Sequence, residues 1–461
     1  MKLDTVHRIT GRHMFLTGPG VAIWGKANVV ELAQLQQRIA AGLKALGWSA
    51  DEHKTIVQEH GFVIAMRAPV DQLYTACSLL EWAAGKVDSL ALVLAEQEQE
   101  RNAKWEELYN YARTHCWPVF DDEDGLTIGY GTYAKTWALD QLPEPNPLLA
   151  PAEQGGHIPV AYVTGTNGKT TTSRMLAAIA QAAGFTPGMT SSDGVTIGGD
   201  WEVKGDWTGP GAARKVLRHP DVDFAVLETA RGGLMRRGLV IDNADCAVVT
   251  NVSADHLGYW GLHSVDDMAR AKLTVCLGVR EQGAIVLNAD CEVLLQAWNN
   301  WPDRPSNRLL LTFSSKNQDG NAYLQEGHLW LSLAGERRPL MKVKDIPLGI
   351  AGAAIHNLEN AMAAALVAAS LGIADPEIAK GLSLLKADPH SSQGRSNLFH
   401  CRGAQIFLDF AHNEDGMARV VEMAKRMPAK RRLLVLGQAG ADEILILYDR
   451  LLRVTCWTSL I

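Results

Sequence analysis

The segment Val163-Thr164-Gly165-Thr166-Asn167-Gly168-Lys169-Thr170-Thr171-Thr172 constrains this 461-residue chain more than any other. It follows an apolar run, Ile158 to Val163, and opens a stretch of helical composition, Thr170 to Ala183. The order strand, tight loop, helix fits it, because glycines let the backbone turn where a side chain would obstruct it. Loop N–H groups and the positive end of the helix then converge on an anion. The spacing G-T-x-G-K-T-T sets Lys169 against the outer phosphates of a nucleotide and the Thr170 hydroxyl on Mg²⁺. Gly165, Thr166, Asn167, Gly168 and Thr171 complete the expected cradle. Val163 stands where the full phosphate-loop pattern has its first glycine, so the loop is a shorter variant.

Around this loop the chain reads as α/β. The runs Ile158 to Val163, Phe224 to Leu227, Cys246 to Thr250, Ala284 to Leu287 and Leu309 to Phe313 lack polar alternation. Such runs suit parallel strands covered on both faces. A central doubly wound parallel sheet is therefore expected over residues 155–387, with a hairpin near Ala322 to Leu333 where the period shifts to two. Residues 1–154 read as an N-terminal α+β domain. Its expected elements are a helix from Asn28 to Leu46 stopped by Gly47, a strand-like run from Thr55 to Met66, a helix after Pro69, and a long charged helix over Glu96 to Arg113. The Pro- and Gly-rich stretch Gln141 to Gly156 reads as a linker. Residues 388–461 show strands at Gln405 to Leu408 and Arg432 to Leu436 with a helix between, and the chain ends about 25 residues later. That is little for a complete α/β domain, so this C-terminal domain is expected to be short and incomplete.

Two further strand ends carry polar residues. Phe224 to Leu227 runs into Glu228, and an acid at the C-terminal end of a parallel strand points into the crevice where such sheets bind ligands. Glu228 is thus a candidate Mg²⁺ ligand, although an acid after a strand also serves as a helix cap. Val249-Thr250-Asn251-Val252-Ser253-Ala254-Asp255-His256-Leu257 again delivers polar groups to that edge.

Taken together, these segments resemble the Mur ligase family, which shares this loop form with folylpolyglutamate and cyanophycin synthetases. The resemblance rests on G-T-x-G-K-T-T, on T-N-x-x-x-D-H-L with His256, on His356-Asn357-Leu358-Glu359-Asn360, on Gln393-Gly394-Arg395, and on Leu408-Asp409-Phe410-Ala411-His412-Asn413. It implies ATP and Mg²⁺ as cofactors, with Thr170, Glu228 and His256 on metal, and with Lys272 a further metal ligand if it is carbamylated. It also implies that Asn360 reads adenine, that Arg395 reaches the phosphates, and that Asp409 lies near the nucleotide. Lys169, His256, Lys272 and Arg395 are its catalytic set. Lys272 is otherwise an ordinary helix lysine, and Asn360 a plain helix-start residue.

Within the family, Glu228-Thr229-Ala230-Arg231-Gly232-Gly233-Leu234-Met235-Arg236-Arg237-Gly238-Leu239 and Thr190-Ser191-Ser192-Asp193-Gly194 resemble segments of the Mur-like half of cyanophycin synthetase. Ser192, Asp193, Arg231, Arg236 and His412 are the candidate substrate contacts. The arginines suit a carboxylate through bidentate forks, and equally suit backbone carbonyls. The implied activity is an ATP-dependent ligase that activates a carboxylate as an acyl-phosphate for attack by an amine, with amino acids or short peptides as partners. A simple phosphate-loop NTPase and a truncated, non-catalytic nucleotide-binding protein are the alternatives.

Composition limits the rest. With 47% apolar and 21% charged residues the chain is globular in character. A net charge of -7 argues against a nucleic-acid or anionic-membrane partner. The longest nearly apolar run, Ala361 to Ala374, is too short to span a bilayer. The start shows no signal peptide. The 7 cysteines form no C-x-x-C pair, so they read as reduced thiols of a cytoplasmic protein. Nothing here decides whether the chain forms a homo-oligomer.

Overall fold

A computed structural model describes residues 1–49, 51, 53–59, 61–150, 156–255 and 257–435. The chain opens with a sheet of β1 (Lys2–Leu3), β2 (His7–Ile9), β3 (Gly20–Lys26), β4 (His53–Gln58) and β5 (Gly61–Arg67), in the order β1-β3-β5-β4 with β2 also on β3. Val21, Ile23, Phe62, Ile64 and Met66 bury on one face, beneath α1 (Val29–Leu46) and α2 (Leu73–Ala83). Their neighbours Ala22, Trp24, Val63 and Ala65 bury on the other, within the core of the central region. Both faces of β3 and β5 are covered, which is why neither strand shows polar alternation.

Helix α1 keeps the limits expected of it. The Asn28 side chain accepts the Glu31 N–H at 2.9 Å and the Glu31 carboxylate accepts the Asn28 N–H at 3.0 Å, a reciprocal cap. Gly47 ends the helix in the left-handed region at φ 73°. Two other expectations need correction. The run from Thr55 to Met66 is two antiparallel strands, with Gln58 facing Gly61 across a turn. The single helix expected over Glu96 to Arg113 is α3 (Leu90–Glu100) followed by α4 (Ala103–Thr114). Asn102 divides them: its side chain takes the Trp105 N–H at 3.2 Å, and its own N–H donates to Asp71 at 2.8 Å. Asn offers the backbone these local bonds in place of helix continuation. A small antiparallel sheet of β6 (Val119–Asp122), β7 (Gly125–Ile128) and β8 (Lys135–Trp137) follows.

The central sheet has 11 strands in the order β12-β11-β10-β13-β9-β14-β15-β16-β17-β18-β19. Its parallel part comprises β9 (Val160–Thr164), β10 (Pro187–Ser191), β13 (Phe224–Glu228), β14 (Ala244–Val249), β15 (Val279–Asn288), β16 (Leu309–Ser314) and β17 (Ala322–Gln325). The doubly wound sheet expected from the apolar runs is therefore present. Antiparallel strands extend both edges: β11 (Gly194–Ile197) and β12 (Asp200–Lys204) on one side, β18 (His328–Leu333) and β19 (Glu336–Lys342) on the other. The second edge contains the hairpin expected near Ala322 to Leu333.

One face of the sheet packs α5 (Lys169–Ala182), α10 (Ile355–Ser370) and α11 (Asp375–Leu384). The other packs α6 (Pro210–Arg218), α7 (Arg231–Arg237), α8 (Val265–Leu277) and α9 (Glu292–Asn299). The apolar run from Ala361 belongs to α10, whose alanines are buried through Ala368. Among the described residues no helix is long and apolar enough to cross a membrane. After α11 come a two-stranded sheet, β20 (Asn397–Cys401) and β21 (Ala404–Leu408), and α12 (Glu414–Arg426). Of the strand expected from Arg432 to Leu436, the described residues to Val435 form no more than an isolated bridge, and Leu436 lies outside the described residues.

The N-terminal sheet joins the central region through backbone. Thr10 N–H donates to Arg237 O at 2.9 Å and Leu239 N–H donates to Arg12 O at 2.8 Å. Gly11 permits that approach, since a Cβ there would lie 2.0 Å from the Leu239 carbonyl oxygen. Gly381 plays a similar part between α11 and α5, where a Cβ would lie 2.4 Å from the Ile179 Cα. Gly381→Val is expected to lower stability by about 1–3 kcal/mol through overpacking, read by urea unfolding. A midpoint equal to wild type would show that the helices separate without cost.

His13, 2% exposed, sits at the same junction and accepts the Phe15 N–H on Nδ1 at 3.3 Å. Burial pushes its pKa down from 6.5 to about 4, so the folded ring binds fewer protons than the unfolded one between those values. Its contribution is fully present above pH 6.5 and is lost as pH falls toward 4. The stability difference between wild type and His13→Asn should shrink by about 2 kcal/mol between roughly pH 7.5 and pH 5, measured by denaturant unfolding. A difference independent of pH would mean that the ring protonates alike in both states.

Candidate nucleotide site

Strand β9 lies between β13 and β14, at the point where the chain first goes to one side of it and then to the other. Loops leaving the three strands there diverge and open a crevice at their C-terminal ends. The 165–168 loop leaves β9 with Gly165 at φ 155° and Gly168 at φ 84°. A Cβ on Gly168 would lie 2.3 Å from Asn360 Oδ1. Glycine at 168 is thus required twice, by conformation and by the closeness of α10.

The segment after β14 holds the loop in shape. Asn251 Oδ1 accepts the Asn167 N–H at 2.9 Å, and Asn251 Nδ2 donates to the Asn167 carbonyl at 2.9 Å. The Thr250 hydroxyl donates to that carbonyl as well, at 2.6 Å. Thr166 N–H donates to Asn251 O at 2.9 Å, and Ser253 N–H donates to the Thr166 hydroxyl at 3.0 Å. These bonds satisfy loop groups that would otherwise be buried unpaired.

Above the loop is a cavity of about 310 Å³. Lys169 Nζ donates to the carbonyls of Gly165 and Thr166 at 3.1 and 2.9 Å. Lys272, 4% exposed, donates to the same Gly165 carbonyl at 2.8 Å. Burial pushes both amines down, with Glu228 partly opposing the effect on Lys169, and Lys272 falls well below the usual lysine range. Glu228 moves the other way, raised by burial and held back by Lys169 and Arg395. Thr170 Oγ1 donates to Glu228 Oε1 at 3.2 Å and lies 3.1 Å from the Ser192 hydroxyl. Glu228 Oε2 is buried with no hydrogen-bond partner among the described residues. A hydroxyl beside an unsatisfied carboxylate oxygen is a hard oxygen donor set, and it fits Mg²⁺.

The C-terminal segment closes the far side. Arg395 Nη2 donates to the Ser192 hydroxyl at 2.8 Å, while Asp193 takes Arg174 at 2.8 Å. Asp409 accepts the Ser396 N–H at 2.7 Å and is raised by burial, against the pull of that bond and of Arg395. Asn167 Nδ2 reaches Asn413 Oδ1 at 3.1 Å and Asp415 Oδ2 at 2.9 Å. Arg419 pairs with Glu359 at 2.6 Å, and Glu359 also accepts from the Ser315 hydroxyl at 2.9 Å. His356, whose pKa burial and Arg419 push down to about 4, faces the same space as a neutral ring.

Of the residues singled out in the sequence, Thr166 to Thr171, Ser192, Glu228, Arg231, Lys272, Asn360, Arg395, Asp409 and His412 all line this cavity. Gly165 presents its carbonyl to the two lysines from beneath. Asp193 lies behind the wall, between Arg174 and Arg395. Arg236 is not brought in: its Nε donates to Gly232 O at 3.2 Å, and its guanidinium stacks on Trp260. His256 lies outside the described residues. Sequence reading passed over Asn251, Glu359, Asp415 and Arg419, which hold the loop and dock the C-terminal segment. Asn251 and Glu359 stand inside the motifs that flagged His256 and Asn360, and that proximity was the available signal.

A parallel sheet with a glycine-turned loop at its switch point, two lysines donating to that loop and an acid at the end of the neighbouring strand is a phosphate-loop type of α/β domain. Residues 163–368 match the Mur ligase middle domain. The chain is 36% identical over 314 residues to the cyanophycin synthetase of Crocosphaera subtropica, covering 66% of this chain and 36% of that protein. It is 35% identical over 300 residues to the cyanophycin synthetase of Trichormus variabilis, covering 64% and 33%. The UDP-N-acetylmuramoyl-tripeptide--D-alanyl-D-alanine ligase of Escherichia coli is 28% identical over 297 residues, covering 62% of this chain and 59% of the ligase. The chain thus spans about a third of the length of the cyanophycin synthetases it matches.

Asn251→Ala removes both side-chain holds on Asn167. Affinity for Mg-ADP should fall about tenfold, the size expected for losing one or two buried hydrogen bonds. Titration calorimetry on the folded variant checks this, and an unchanged Kd would mean that the loop keeps its shape without Asn251.

Proposed function

We propose that this chain is an ATP-dependent carboxylate–amine ligase of the cyanophycin-synthetase-like type. The observation that supports this most is that Arg395 and the Asp409 to Asn413 segment face the phosphate loop across one cavity. A nucleotidase needs the loop and an acid, but has no evident use for a second set of groups opposite them. The names of the relatives, synthetases and ligases, point the same way.

A carboxylate is a poor electrophile at neutral pH, so amide formation needs it activated. In the proposed sequence an acceptor carboxylate oxygen attacks the γ-phosphorus of ATP and ADP leaves. The donor amine then attacks the acyl carbon, loses a proton, and inorganic phosphate departs. Lys169 and Arg395 hold the γ-phosphoryl group and offset its charge. Thr170 and Glu228 would hold one Mg²⁺, with His256 and a carbamylated Lys272 at a second. That metal would neutralise phosphate charge. The depressed pKa of Lys272 favours the neutral amine, the form that adds CO₂. Asn360 and Asp409 bind the nucleotide. Ser192, Asp193, Arg231 and His412 contact or orient the substrates, which are amino acids or short peptides. The domain limits proposed are 1–154, 155–387 and 388–461, and the compartment proposed is the cytoplasm.

Phosphate release from Mg-ATP, measured against a panel of amino acids and short acidic peptides with mass spectrometry of products, tests this. Release dependent on an amine, with a product of condensed mass, is the expected outcome. Lys169→Ala and His256→Ala should each abolish it while the circular dichroism spectrum stays that of wild type. Amine-independent release would support a nucleotidase instead, and turnover retained in either folded variant removes that residue from the scheme.

A further inference from the structure

A second cavity, of about 150 Å³, lies where the N-terminal sheet meets the 258–263 loop. Its lining includes Lys2 and Lys26, which are direct partners across β1 and β3. Like charges directly opposite each other on antiparallel strands are destabilising. Neither ammonium forms an ion pair among the described residues. Trp24, 3% exposed, lines the same cavity, and its Nε1 is buried without a hydrogen-bond partner among the described residues.

The opposite wall keeps the space open. Gly261 has φ 71°, and a Cβ there would lie 2.7 Å from Gln58 Oε1 and 3.3 Å from Trp24 Nε1. Trp260 is itself left-handed at φ 53°, a conformation that costs a bulky residue of order 1 kcal/mol or more. The turn brings the Trp260 ring to the guanidiniums of Arg231 and Arg236, 5.1 and 5.7 Å from its centroid. Arg231 and Gly232, both beside that ring, line the nucleotide cavity. The second cavity therefore lies across Trp260 from the first.

We propose that this cavity binds a carboxylate on the distal part of a peptide-like acceptor, with Lys2, Lys26 and the Trp24 indole N–H as its donors. The word acceptor rests on the ligase reading; the anion site itself does not. Two ammoniums and an N–H donor select an anion. Asp4 in the same lining leaves an excess of one positive charge, which suits a singly charged carboxylate better than a multiply charged phosphate. The aromatic walls of Trp24 and Trp260 suit the carbon chain that carries it. An extended acceptor would thread past Trp260, its far carboxylate here and its reacting carboxylate beside Arg231.

Fluorescence anisotropy of fluorescein-labelled tetraglutamate on the full chain, without ATP, tests the site. The double variant Lys2→Gln/Lys26→Gln should bind the peptide at least tenfold more weakly and bind Mg-ADP as wild type does. Its thermal midpoint should hold or rise, because a like-charge contact is gone. Trp24→Phe, which keeps most of the ring and removes the N–H, should also weaken binding. Wild-type affinity in the double variant, no peptide binding by wild type, or displacement of the peptide by lower concentrations of pyrophosphate than of free tetraglutamate would each overturn the proposal. Failure of the ligase reading looks different: the peptide binds through these lysines, yet no amide product forms with any amine.

Discussion

The position of β9 inside a parallel ladder is the constraint on which the rest depends. Its backbone is paired on both sides, by β13 and by β14, so its end cannot shift without breaking bonds to two neighbours. Three segments are thereby brought to one edge: the glycine turn after β9, the acid that ends β13 and the Thr250-Asn251 pair after β14. The backbone of Asn167 is held by Asn251, and its side chain in turn holds Asn413 and Asp415. One loop residue thus ties the sheet to the C-terminal segment. The geometry of the cavity follows from that chain of bonds.

Charge placement in the cavity works against stability and toward binding. Lys272 and Glu228 are withdrawn from water, and Lys169 and Asp409 are so in part. Each group alone would carry a desolvation cost of several kcal/mol. Partial pairing lowers that cost, and the remainder shows as depressed amines and raised carboxyls. Such an arrangement is preorganised for a polyanion with its counter-cation, which would satisfy both sets of groups at once.

Much of this was legible where a local signal and the global fold agree. The glycine loop, the strand-terminal Glu228, and the cap and stop of α1 are encoded within a few residues, and their physics is local. Errors came where a tertiary partner overrides a local pattern. The helix expected over Glu96 to Arg113 divides because Asn102 finds Asp71, 31 residues earlier. The antiparallel edge β11–β12 went unread, because its glycine-rich turns leave strands too short to show a period. Arg236 looked like a ligand by its motif, but a helix turns it toward Trp260.

The sequence by itself determined the class of site, since phosphate recognition by a backbone loop needs glycines, a lysine and a hydroxyl at fixed local spacing. It determined the sheet type too, because strands buried on both faces must be apolar throughout. Only tertiary structure decided which groups meet that site from far along the chain. Asn167 meets Asp415 248 residues later, Glu359 meets Arg419, and Trp24 faces Gly261. No spacing rule encodes such contacts, because they depend on how the sheet twists, how the helices pack and where two regions touch.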